Sequence, residues 1–477
     1  MRGESEGKRA IFSLLTLMYL GIDFGTTNTV AAVMDGAGVR VLPLDEEGAT
    51  LRTMLYIERE GRIRAGADAI RTYRAQNVGR VPRQSKQWVG EIEIEIGELN
   101  VKGYDVGASV TAIVDAFADV DADAPGRLVH SLKGPLATPY KGTRLFGRDY
   151  SLEALIAEFL SRLRARVADA TGRAPRNAVF GRPVHFANAT TSEDDALAQA
   201  RLLQAAQMAG FERVIFEREP VGAALAFGAE TTTVQHVLTF DFGGGTLDVA
   251  VVRFAGSAHE VLATGGIGLG GDHFDQIIFK RTLLPWFGSE TTWGDGHALP
   301  AHLLDALGDW QDIPQLATAG TLAFIREAQH SSSDPLRLLA LEDLISKGHA
   351  YDVYARVEEA KVALSSRRFA VIAHDPSTSS GHSAVSLWQP ISRTQFESFI
   401  ARERRWIAEV IDETLQRAGV DAAQIDRVVR TGGSSSIPAC VDILTERFGS
   451  EKLVAQSLFT GVASGLAIKA AQLCLEA

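Results

Sequence analysis

Two short stretches constrain this chain more than anything else in it: DFGTTNT at residues 23–29 and DFGGGTLD at residues 241–248. Each lies in a strand–turn–strand pattern, the first from Tyr19 to Met34 and the second over residues 234–254. Two halves that each open on a hairpin whose turn carries Asp-Phe-Gly are the mark of an internal duplication. The rest of the pattern is mixed α and β. EIEIEIGEL (91–99) alternates as a half-buried strand does. Residues 149–172 form an amphipathic helix ending at a glycine. A strand over 177–186, a helix from Ser192 to Gly210, a strand over 213–220 and a small-residue helix to Gly228 follow. In the second half, 353–366 reads as helix, 425–449 as strand, glycine turn and helix, and Gly461 to Leu475 as a last helix.

The turns have a chemistry. Glycine lets a backbone bend sharply and lets a phosphate approach main-chain N–H groups, and successive N–H groups in such a bend form an anion-binding nest. Gly243, Gly244, Gly245 and Thr246 suit this, as do Gly25 with the hydroxyls of Thr26 and Thr27. Asp23 and Asp241 stand where the strands enter the turns. A carboxylate beside a phosphate is repelled unless a cation lies between them, and Mg²⁺, which keeps its waters, is the natural one. A third turn, TGGSSSIP (431–438), follows a β-branched strand and opens a helix at Pro438. After two phosphate turns it reads as the nucleoside side of a nucleotide site.

Composition narrows the alternatives. The 477 residues are 46% hydrophobic, enough for several cores, and the net charge of −11 argues against general nucleic-acid or anionic-membrane binding. Cys440 and Cys474, the two cysteines, have no histidine near at ligand spacing, so neither a zinc site nor a disulfide framework is expected. Asp119, Asp121 and Asp123 mimic the start of a calcium loop, but position 130 is His, and a solvated acidic loop is the better reading. Trp286, Trp293 and Trp310 read as packing residues. The apolar run 10–22 flows into Asp23 with no cleavage signature and is too short to span a bilayer. A cytoplasmic protein is expected, with residues 1–17 an extension and Met18 an alternative start.

The motifs GIDFGTTNTVAAVMDG (21–36), FEREPVGAALAFG (216–228), DFGGGTLDVAVV (241–252), GLGGDHFD (268–275), EEAKVALS (358–365) and TGGSSSIP come in one order over most of the chain. In these the sequence resembles the nucleotide-binding domain of the heat-shock protein 70 chaperones, within the actin-like ATPase superfamily, in a short YegD-like form without a substrate-binding domain. The resemblance implies a duplicated, ribonuclease H-like α/β fold of two lobes around a central nucleotide cleft. Lobe I is expected over 18–228 with a variable insert at about 51–130. Lobe II is expected over 229–477 with a variable subdomain at about 276–370, the last helix being free to return to lobe I.

The resemblance also implies site residues. Asp23 and Asp241 would surround Mg²⁺ and the attacking water, with Glu219 in the metal's outer shell and a lysine placing the water. Lys133 in HSLKGPLA is favoured over Lys86 in SKQWVG. Gly25, Thr26, Thr27 and Asn28 would form the first phosphate loop. Gly243, Gly244, Gly245 and Thr246, followed by Asp248, would form the second, with Gly270 and Gly271 beside it. Glu358, Lys361 and Ser365 would meet ribose and adenine on one side and Gly432, Gly433 and Ser434 on the other. Pro183 matches a relay proline. The family's adenine-stacking arginines are replaced by Val362 and Ser436, and Thr191 stands where an arginine is expected. The expected function is slow Mg²⁺-dependent ATP hydrolysis driving lobe closure, in a chaperone-like role with an unidentified protein partner or client and no nucleic-acid or membrane partner. The alternatives are a nucleotide switch with little hydrolysis, a small-molecule kinase, and an actin-like filament former.

Overall fold

The computed structural model describes residues 19–35, 38–46, 48–80, 82–101, 104–228, 233–256, 258–310, 312–375, 385–456 and 460–476. The extension 1–17 with Met18, and the side-chain burial expected of EIEIEIGEL, lie outside what is described.

Two sheets carry the architecture. In the first, β1 (Tyr19–Phe24), β2 (Asn28–Asp35) and β3 (Gly38–Val41) form an antiparallel meander, and β4 (Leu51–Arg52) pairs with β2. On the other side of β1 lies a parallel strand, Asn177–Arg182, and beyond it another, Arg213–Arg218. The second sheet repeats the plan: Gln235–Phe242, Leu247–Ala255 and Ala258–Ile267 form a meander, with Arg427–Thr431 and then Leu453–Ala455 added in parallel to its first strand. The shared order bears out the expected duplicated two-lobe α/β fold. The central strands are buried along most of their length, as in sheets covered on both faces, with Leu20, Ile22 and Phe24 in one and Leu238, Phe240 and Phe242 in the other all fully buried.

Local chemistry sets the ends of the elements. The strand from Asn177 stops at Arg182, short of Phe186, because Pro183 has no N–H to continue a ladder. The helix Leu152–Thr171 is capped by Ser151, whose Oγ accepts the Ala154 N–H at 3.1 Å, and it ends on left-handed Gly172. The helix Ser192–Met208 is capped by Thr191 in a capping box with Asp194, which gives that threonine a structural role. These two helices pack together over the first core.

Two helices of small residues lie between the sheets. Glu219–Gly228 follows Arg213–Arg218 and packs against the hairpin of the second sheet, and Gly461–Glu476 packs against β1, β2 and the first helix. A Cβ at Gly465 would strike the Gly222 carbonyl, so the two backbones approach as closely as glycine permits.

The first half also holds β5 (Met54–Glu58), β6 (Ile63–Ala65), a long two-stranded ribbon of β7 (Gln84–Val101) and β8 (Tyr104–Asp121), and β9 (Gly126–His130), which pairs with β5. EIEIEIGEL is therefore strand, in that ribbon. Asp121, at the end of β8, pairs with Arg80, and Asp123 takes Arg83 in two hydrogen bonds of 2.6 and 2.8 Å. Among the described residues no group of three His, Cys, Asp or Glu side chains is placed to ligate a metal ion directly. The second half holds a helical subdomain ending in Ala350–Ser366, with Trp286, Trp293 and Trp310 packed half-buried against its core. Among the described residues no helix is long and apolar enough to cross a membrane.

Candidate functional site

The two hairpin turns meet face to face. Each is closed by the same hydrogen bond, Gly25 N–H to the Asn28 carbonyl at 3.1 Å and Gly243 N–H to the Thr246 carbonyl at 3.1 Å. A Cβ at Gly244 would strike Thr27 Oγ1, and one at Gly245 would come within 2.5 Å of Thr26 Oγ1. The hydroxyls of one turn thus press on the bare backbone of the other. The N–H groups of Thr26, Thr27, Gly244 and Gly245 donate to no described backbone carbonyl, which leaves them available to an anion. Thr53, which the sequence reading missed, ties the first turn to β5: its Oγ1 donates to the Gly25 carbonyl at 2.9 Å and its N–H to the Thr27 carbonyl at 2.9 Å.

Beneath the turns lies a group of carboxylates. Asp23, Lys133, Glu219 and Asp241 line one cavity of about 90 Å³ together with both turns, Asn28, Thr431, Gly432 and Gly433. Lys133 is buried, and its Nζ donates to Glu219 Oε1 at 2.6 Å. Asp248 stands directly across the hairpin from Asp241 and accepts the Val184 N–H on Oδ1 at 2.6 Å. Pro183 thus stands one residue before a backbone group bonded to the site.

Burial pushes the Asp23 carboxyl up to about 7, with Glu219 adding to the rise and Lys133 opposing it. Burial and then Glu219 push Asp248 up to about 7 against the hydrogen bonds from Val184 and Thr246. Asp241 is raised well above the usual range by burial and by Glu219, Asp23 and Asp248. Four carboxyl groups share one lysine, so their joint ionisation is disfavoured until a cation joins them. That donor set fits a hydrated divalent cation, held through its own waters.

The nucleoside side is built from the second half. Ser434 Oγ donates to the Gly243 carbonyl at 2.9 Å, and Gly271 N–H donates to the same carbonyl at 3.0 Å. Gly270 precedes it as the helix cap. Gly432 has φ 78°, a left-handed value that favours glycine, and a Cβ there would strike the Phe242 carbonyl. Lys361 is buried and bonded to the Gly271 carbonyl at 2.9 Å and to Asp275 at 2.6 Å. Burial works to lower the Lys361 pKa, but Asp275 and Asp272 outweigh it. Ser365 lies one turn further along the same helix and makes no described contact with the turns. Val362 is 61% exposed, so no cation and no packed side chain stands at that position.

Glu358 is engaged across the cleft. Arg52, on β4, donates to both its oxygens at 3.2 Å. Thr27 Oγ1 donates to Asp272 at 3.2 Å, and Arg74 to Asp352 at 2.7 Å, so two further side-chain links join the halves. Sequence reading missed Arg52, Asp272 and Asp275. Asp272 and Asp275 stood inside the quoted GLGGDHFD, three apart on one helix face. Arg52 had no local signal, because its partner is 306 positions away. Lys86 lies elsewhere, on the exposed foot of β7, and lines a different cavity.

With this geometry in hand, the comparisons with known proteins are specific. The family model for the Hsp70 protein matches residues 128–290 and 345–475, more than half of the chain. The chain is 25% identical over 454 residues to the chaperone protein DnaK of Deinococcus proteolyticus, covering 94% of this chain and 58% of that one. It is 27% identical over 461 residues to the chaperone protein DnaK of Thermus thermophilus, covering 96% and 61%. It spans about three fifths of the length of these curated relatives. The match takes in Lys133, Glu219, the DFGGGTLD turn, GLGGDHFD, EEAKVALS and TGGSSSIP, and on it the chain belongs to the Hsp70 family.

Proposed function

We propose that this protein binds ATP and ADP with Mg²⁺ between its two lobes and hydrolyses ATP slowly, with lobe closure as its output in a chaperone-like role. The observation that carries the reading is the buried carboxylate cluster of Asp23, Glu219, Asp241 and Asp248, with the single lysine Lys133, beneath two facing turns of free N–H groups. Asp23 and Asp241 would hold Mg²⁺ through its waters, with Glu219 behind them, and the ion would neutralise charge on the phosphates. Gly25 to Asn28 and Gly243 to Thr246 cradle the phosphates from either side. Lys133, fixed by Glu219, orients the attacking water, and a carboxyl raised toward neutrality is matched to accepting its proton. Catalysis of this kind is positioning and electrostatics rather than covalent chemistry.

The cavity of about 90 Å³ is far below the roughly 300 Å³ at which small-molecule clefts begin. Admission of a nucleotide therefore requires the halves to part, breaking Arg52–Glu358 and Thr27–Asp272. We place lobe I at 18–228 and lobe II at 229–477, with a cytoplasmic location and an unidentified protein partner or client. A nucleotide switch with little turnover is the second reading, favoured by the exposed Val362 where the family stacks an arginine. Calorimetric titration with ATP and ADP, with and without Mg²⁺, followed by phosphate release on the same sample, separates them. Binding with slow Mg²⁺-dependent release supports hydrolysis, and binding without release supports the switch. Transfer of phosphate to a sugar would overturn both.

A further inference from the structure

A second cavity is separate from the carboxylate cluster. It encloses about 1370 Å³ between the halves. One wall is β9, the end of the helix Ala67–Asn77 and the foot of the β7–β8 ribbon, and the other is formed around Trp310 and Ala350. In a chain whose net charge is −11, this cavity is locally basic. Among the described residues, Arg59, Arg80, Lys86, Arg127 and Arg144 line it against Asp121 and Asp312.

Most of these cations have internal work. Asp121 is taken by Arg80, and Arg144 pairs with Asp149 at 2.7 Å. Arg59 gives two N–H groups to the carbonyls of Ala122 and Ala124, at 2.7 and 2.8 Å. Arg127 differs. It projects from β9 into the cavity, and among the described residues no carboxylate pairs with it and nothing accepts its N–H groups. Its side chain is solvent-exposed on the cavity wall, where an arginine stays charged. Around it the walls are aromatic. Trp310 stacks on His130 with ring centres 3.6 Å apart, and Phe146 lies under Arg59 at 4.9 Å.

We propose that this cavity is a binding site for an acidic peptide segment, with a carboxylate of the segment paired to Arg127 and its apolar side chains laid on Trp310 and Tyr140. The fork of an arginine matches a carboxylate in two parallel hydrogen bonds. The volume exceeds the roughly 300–1,000 Å³ of ordinary small-molecule sites, and the negative field of the whole chain disfavours nucleic acid. A short extended peptide answers both the size and the mixture of cation and ring.

The test is fluorescence anisotropy with fluorescein-labelled Glu-Glu-Trp-Glu-Glu-Leu on the full chain. The expected result is saturable binding that weakens with salt, is absent for the peptide with Lys in place of Glu, and falls at least ten-fold in Arg127→Glu. Arg127→Gln removes the charge with less disturbance and should fall in the same direction, with an unchanged thermal midpoint showing that the fold persists. Asp241→Asn, in the other site, should bind the peptide as the unaltered protein does. Binding that ignores both Arg127 variants overturns the proposal, as does no binding at all. Displacement of the peptide by inorganic phosphate or a short oligonucleotide at equal or lower concentration also overturns it, in favour of a phosphate site. No residue of this cavity belongs to the nucleotide reading, so either can fail alone.

Discussion

The two Asp-Phe-Gly hairpins can be laid on one another residue for residue. Asp23 matches Asp241, Gly25 matches Gly243, and the same glycine-to-carbonyl hydrogen bond closes both turns. The differences fall at a few places. Thr26 and Thr27 in the first correspond to Gly244 and Gly245 in the second, so hydroxyls on one side meet bare backbone on the other. Across the strand pair, Asp23 faces Val30 whereas Asp241 faces Asp248. Like charges directly opposite in a hairpin are unfavourable, and the second hairpin carries that cost at a buried position. Duplication thus supplied two copies of one turn. One became a hydroxyl face, and the other a glycine face with an added carboxylate.

The harshest way to break this comparison is to remove the carboxylate on the more crowded side. Asp241→Asn is expected to lower ATP turnover by about 100-fold or more, the scale of losing one electrostatic group in a closed site. Lys133→Ala should act on a similar scale, because it removes the only lysine of the cluster and frees Glu219. Phosphate-release assays check both, with circular dichroism showing retained fold. Turnover unchanged in Asp241→Asn would mean that the two hairpins do not share a reaction.

A smaller effect is expected from filling the glycine face. Gly244→Val places a branched side chain against Thr27 Oγ1 and Asp272. Overpacking at such a contact costs about 1–3 kcal/mol, so affinity for ATP in calorimetry should fall roughly 10- to 100-fold. Affinity within a factor of two of the unaltered protein would show that the turns do not need to approach one another.

How much of this was legible follows from the same residues. The hairpins, their glycines and their aspartates are local features, and sequence alone located them along with Lys133. The contact between halves at Arg52 was not legible, because nothing near it signals a partner 306 positions away, and the link from Thr53 to Gly25 forms only through the fold. The end of the strand at Arg182 was overrun because apolar residues recur on both sides of it in NAVFGRPVHF, and the missing N–H of Pro183 marks the stop. Thr191 looked like a lost arginine and is a helix cap. The basic cavity was invisible because its cations come from β9, a helix end and the ribbon foot, brought together by the fold.

The added carboxylate should also show in pH dependence. Asp23 and Asp248 are both pushed up to about 7, by burial first and Glu219 second, from a usual value near 3.8. A carboxyl raised in the folded state keeps its proton there while the unfolded chain releases it. The contribution of these two carboxyls to the stability of the nucleotide-free protein is therefore fullest below about pH 4 and is lost as pH rises through 7. Asp248→Asn keeps an oxygen for the Val184 N–H and removes the ionisation. Its stability in urea should match the unaltered protein near pH 4 and exceed it at pH 8 by about 1–2 kcal/mol. A variant no more stable at pH 8 would place the strain elsewhere in the cluster.

The gentlest change makes the first turn more like the second. Thr26→Gly removes the Cβ, its hydroxyl and its methyl from the face opposite Gly245. A neutral hydrogen bond contributes about 0.5–1.5 kcal/mol, so ATP affinity should fall only about three- to ten-fold. The informative measurement is the double variant. Gly245→Ala alone sets a methyl 2.5 Å from Thr26 Oγ1 and should lower affinity by itself. With Thr26→Gly present the methyl enters the space the threonine left, so the double variant should bind ATP more tightly than Gly245→Ala alone. That reversal requires the two turns to touch at these two residues in the nucleotide-bound protein. Simple additivity of the two losses would mean that the turns separate once ATP is in place, with the hydroxyl and the glycine each meeting the phosphates on its own.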